Sequence, residues 1–125
     1  MVTTDIDQFT EECNAWREAL RSQREEFARM KNDLQNAATH ITSKDALKAV
    51  EHYENQFDIQ LFNIHDLKQA VKAHAKQYSM QLAGDDETVP ALSAEHEQLA
   101  KDFKMLQHTL LELKADFKGF LVHYT

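Results

Sequence analysis

The 125-residue chain contains one cysteine, one proline and two glycines. Sheets and irregular folds draw on glycine, proline and asparagine at their many turns, so this shortage excludes a loop-rich architecture and favours long helices. A single cysteine excludes an intramolecular disulfide. Basic residues are also few, with 14 Lys and Arg against 21 Asp and Glu and a formal net charge of -7. They are nowhere concentrated into the basic face that phosphate binding requires, so nucleic acid and anionic membranes are not expected as partners. No apolar run approaches the roughly 20 residues that span a bilayer. Met1-Val2-Thr3-Thr4-Asp5 lacks the basic start and apolar run of a signal peptide, and the expected compartment is the cytoplasm.

What is present is a hydrophobic share of 42%, enough for the core of one domain over 1–125. Positions spaced alternately three and four apart form three seams. The first runs Ile6, Phe9, Cys13, Trp16, Leu20, Gln23, Phe27, Met30, Leu34, Ala37 and Ile41. The second runs Leu47, Val50, Glu54, Phe57, Leu61, Ile64, Lys68, Val71, Ala75, Tyr78 and Leu82. The third runs Leu92, His96, Leu99, Phe103, Leu106, Leu110, Leu113, Phe117, Phe120 and Tyr124. The fold class that follows is all-α: an elongated, antiparallel, coiled-coil-like three-helix bundle running up-down-up, with helices over about 4–39, 43–83 and 90–124. Thr3 or Thr4 is expected to cap the first helix. Thr42 or Ser43 should cap the second, Thr42 with Asp45 resembling a capping box. Gly84 suits a helix end, and 85–90 forms the one clear loop.

Pairing Ile41 with Leu47 and Leu82 with Leu92 fixes a register for the hairpins. Gln23 then falls with Ile64 and Leu110, Glu54 with Leu34 and Phe120, Lys68 with Leu20 and Leu106, and His96 with Phe9 and Tyr78. No two of these polar seam residues share a level, so the converging Glu and Glu-x-x-His ligands of a di-metal bundle are missing. The four are expected to tilt to the bundle edge or to fix register, because an unpaired buried charge is costly. A ligand or switch site around Glu54 or Lys68 is the alternative. Cys13 reads as a buried thiol acting as a small hydrophobe.

Among the seven histidines, His65 and His108 fall at about one level, with Glu112 a turn beyond His108. Together they could complete a surface metal site, brought together between two chains. No nucleophile elbow, phosphate loop or His-Glu-x-x-His motif occurs, and no catalytic residue, cofactor, metal ligand within one chain, or small-molecule substrate is expected.

Ile59 and Phe62 lie off the second seam, and Leu111 lies off the third at a similar height. Apolar residues on a charged helical surface suggest a protein contact, although scattered surface apolar residues also occur without function. The expectation is a non-enzymatic interaction or scaffold module that self-associates, or binds another protein, through Ile59, Phe62 and Leu111. The alternative is a metal-binding bundle whose site is completed by oligomerisation. The segment Phe9-Thr10-Glu11-Glu12-Cys13-Asn14-Ala15-Trp16 resembles the opening of a spectrin repeat, which implies three antiparallel helices with a seam tryptophan in the first. The resemblance covers barely one helix, and the third helix has phenylalanine or leucine in place of that family's second tryptophan.

Overall fold

A computed structural model describes the backbone of residues 2–81 and 89–124 and the side chains of residues 7–80 and 91–124. Three helices account for this backbone: α1 (Val2–Ala38), α2 (Lys44–Gln81) and α3 (Val89–Tyr124). Helix α2 packs against both others, as an all-α three-helix bundle requires. At 1.5 Å per residue each helix is about 55 Å long. Helices α1 and α3 approach each other at fewer points and are bridged by side chains: Glu26 to Lys114 at 2.8 Å, and Gln107 to Gln23 at 2.8 Å in a reciprocal amide pair.

The turn between α1 and α2 is tight. Backbone N–H groups of Thr39, His40 and Ile41 donate to carbonyls three residues back, closing α1 with a narrow final turn. Ser43, not Thr42, caps α2: its Oγ accepts from the N–H of Ala46 at 3.4 Å, and its carbonyl accepts from Leu47 at 2.9 Å. Helix α1 begins at Val2, slightly earlier than expected, so Thr3 and Thr4 lie within it. Their side chains, the seam residue Leu82 and the loop at Gly84 lie outside the described residues.

The main core fills the hairpin half of the bundle. Phe27, Leu34, Phe57, Ile64, Leu110 and Phe117 are all deeply buried there. Phe57 and Phe117 meet edge to face, with centroids 4.8 Å apart, a geometry that matches the positive ring edge to the negative face. Among the described residues of the opposite half, Cys13, Val71 and Leu99 form one buried cluster and Tyr78 and Leu92 with Phe9 another.

The described seam positions of α1 and α3 are buried or half-buried as the spacing predicts, save for Tyr124, which ends exposed, and the side chain of Ile6 lies outside the described residues. In α2 one of the two columns is displaced by a residue. Val50, Phe57, Ile64, Val71 and Tyr78 are buried as expected, but the fully covered partners are Ala46, Gln60 and His74 rather than Leu47, Leu61 and Ala75. Leu47 is 43% exposed, while Glu54 and Lys68 are half-buried at the bundle edge. The reason is geometric. A helix between two neighbours buries a stripe wider than a two-column seam, so the positions on either side of the central column are both covered in part. Leu61, Lys68 and Ala75 take the flank that leaves the apolar pattern visible. Gln60, Leu67 and His74 take the inner flank.

Candidate polar cluster between the three helices

The displaced column carries His74 into the interior. On α1, the buried seam position between Phe9 and Trp16 is Cys13, and on α3 the seam position between Leu92 and Leu99 is His96. One level of the half away from the α1–α2 turn therefore holds one chemically active side chain from each helix. The candidate ligand atoms of Cys13, His74 and His96 lie within 4.8 Å of one another, and all three residues are buried. This is the only group of three or more metal-ligating side chains drawn together among the described residues.

Its internal geometry is directional. His74 Nε2 and His96 Nδ1 face each other at 3.1 Å. The other nitrogen of His96, Nε2, meets Glu12 Oε2 at 2.9 Å. The other nitrogen of His74, Nδ1, comes within 3.2 Å of Glu95 Oε1, but it is not aligned for a hydrogen bond and remains an unsatisfied buried polar atom. Each imidazole thus turns one nitrogen inward and the other toward a carboxylate at the rim. Aromatic faces hold the rings in place: Phe9 and Trp16 stack on His96 at 4.2 and 4.7 Å, and Tyr78 meets His74 edge-on at 4.5 Å. The Tyr78 hydroxyl donates to the carbonyl of Leu92 at 3.0 Å.

Burial governs the protonation of these groups. The Cys13 thiol is pushed up to about 11, chiefly by desolvation and then by the Glu12 charge. His74 is held below the ordinary histidine value, because desolvation of the imidazolium and repulsion from His96 outweigh the attraction of Glu95. Desolvation raises Tyr78 as well.

His96 therefore does not tilt to the edge as its polarity suggested; it is buried at its seam position, at the predicted level with Phe9 and Tyr78. Polar seam residues do meet polar partners, because those partners stand just off the expected seams: His74 for His96 and Gln107 for Gln23. His65, His108 and Glu112 do not converge. His108 and Glu112 form an exposed pair at 2.8 Å along α3, and His65 is exposed on α2 without joining them.

Ile59, Phe62 and Leu111 are 49%, 66% and 68% exposed. Ile59 and Phe62 stand a turn apart on the outer face of α2. Asn63 and Asp66 beside them line a shallow α2–α3 groove with Asp102 and Met105, the last 70% exposed. Leu111 stands with Gln107 and Lys114, whose side chains reach α1, so it belongs to the other side of α3. No protein-family model, no curated protein and no solved structure matches this chain.

Proposed function

We propose that the protein is a non-enzymatic helical interaction module that associates with a second copy of itself through the outer face of α2 and the adjoining α2–α3 groove. The observation that carries this reading is the exposure of large apolar side chains on both helices, Ile59 and Phe62 on α2 and Met105 on α3, the last lining a groove with Asn63, Asp66 and Asp102. An apolar centre with a polar rim is the anatomy of a protein interface. A second α2 laid antiparallel along the groove would cover Phe62 of each chain and repeat the helix packing already used inside the bundle.

Backbone amide chemical shifts followed through a dilution series test this reading. Concentration-dependent shifts should concentrate around 59–66 and 102–109. Invariant shifts at high concentration, or shifts confined to α1, would remove the support for this surface.

A further inference from the structure

The cluster between the helices carries an inference that does not depend on the outer surface. Two neutral imidazoles bring two N–H protons, yet three places in the chain Glu12–His96–His74–Glu95 call for one. These are His96 Nε2 toward Glu12, the contact between the inner nitrogens, and His74 Nδ1 toward Glu95. One place goes without, and the buried Nδ1 of His74 is where the deficit falls.

A cation between the inner nitrogens removes the deficit. It takes the place of the shared proton, accepts a lone pair from each ring and leaves both protons on the outer nitrogens, where the carboxylates stand. Metal-bound histidines characteristically donate their second N–H to a carboxylate in this way, which fixes the tautomer and raises the ligand's basicity. Cys13 supplies a third donor from the third helix, its thiol proton passing to solvent as the ion takes the thiolate. Tetrahedral zinc, with bonds of about 2.0 Å to nitrogen and 2.3 Å to sulfur, places its nitrogen ligands about 3.3 Å apart and nitrogen and sulfur about 3.6 Å apart. The inner nitrogens already stand at 3.1 Å, and all three ligand atoms fall within 4.8 Å, so side-chain adjustments of about an ångström close the site.

We infer that Cys13, His74 and His96 bind a divalent transition-metal ion of the zinc class, with Glu12 and Glu95 orienting the two histidines from outside. One thiolate with two imidazoles suits zinc or cobalt and disfavours magnesium or calcium, which take oxygen ligands. Three protein ligands leave a fourth position for water. Each helix contributes one ligand, so the ion ties α1, α2 and α3 together in the half of the bundle away from the α1–α2 turn.

Cobalt(II) provides the probe. The full chain, stripped by a chelator under reducing conditions, is titrated with Co²⁺ and then with Zn²⁺. Expected are one Co²⁺ per chain, visible absorption of a tetrahedral ion, a thiolate-to-cobalt charge-transfer band in the near ultraviolet, and displacement of both signals by Zn²⁺. Cys13→Ala should abolish the charge-transfer band and weaken binding at least tenfold, while Glu95→Gln should weaken it about 10–100-fold. Glu95 is half-exposed, and cysteine to alanine is a small change in an apolar site, so both variants should keep the helix content of the parent without metal. The double variant His65→Ala/His108→Ala should bind as the parent does. No equimolar uptake of Co²⁺ would overturn the proposal and reduce the cluster to a hydrogen-bonded histidine pair. A spectrum unaltered by Cys13→Ala would do the same, as would binding lost in the surface double variant.

Discussion

His74 is the residue on which the interior chemistry turns. It is fully buried, faces His96 through one nitrogen and leaves the other unsatisfied near Glu95. Its protonation also couples to folding. Desolvation holds its folded pKa below the ordinary value of 6.5, against the pull of Glu95 and together with repulsion from His96, which itself faces Glu12. The unfolded chain therefore takes up the proton first as the pH falls. The contribution of His74 to stability is complete above about pH 6.5 and is lost as the pH drops toward the folded pKa. Urea unfolding of the metal-free protein should show stability declining between pH 7 and pH 5, and His74→Gln should flatten that decline. Stability that instead rises on acidification over this range would contradict the assignment.

At the scale of the element, the heptad seams of α1 and α3 were legible from spacing alone, and Phe9, Tyr78 and His96 meet at the level the register expects. The candidate site was legible only in part. Cys13 and His96 stand on predicted seams, but His74 does not, because α2 is wedged between two partners and the apolar residues beside its central column stand one position beyond the flank that is covered. Leu61 and Ala75 advertise the seam, whereas Gln60 and His74 occupy the buried flank and carry no hydrophobic signal. A residue of the polar class is recognised there only once its partners from the other helices are known. Two substitutions check the displaced column. Leu47→Ala should cost well under the about 2–5 kcal/mol of a buried leucine truncation, since Leu47 is already partly in water, whereas Phe57→Ala should cost about 3–5 kcal/mol. Equal losses at the two positions in urea unfolding would restore the undisplaced seam. The cap at Ser43 is a separate local contribution: Ser43→Ala should lower stability by about 1 kcal/mol by freeing the N–H of Ala46. An unchanged unfolding midpoint would mean that the 3.4 Å contact contributes nothing.

For the whole molecule, the division into two halves matters. The hairpin half is held by interlocked aromatic and aliphatic side chains, and the described residues of the other half pack around polar groups. Among the described residues no helix is long and apolar enough to cross a membrane. The exposed apolar side chains on the outer face of α2 are the surface that the proposed self-association would cover. Leu111, on the α1 side of α3, would remain uncovered in a dimer built on the α2–α3 groove. The most direct test of the interaction reading is sedimentation equilibrium of the parent chain beside Ile59→Ser/Phe62→Ser over a wide concentration range. The account predicts that the parent approaches twice its 14.5 kDa chain mass while the double variant stays at the chain mass with unchanged helix content. A parent chain that remains at 14.5 kDa at the highest concentration, or a double variant that associates as the parent does, would contradict it.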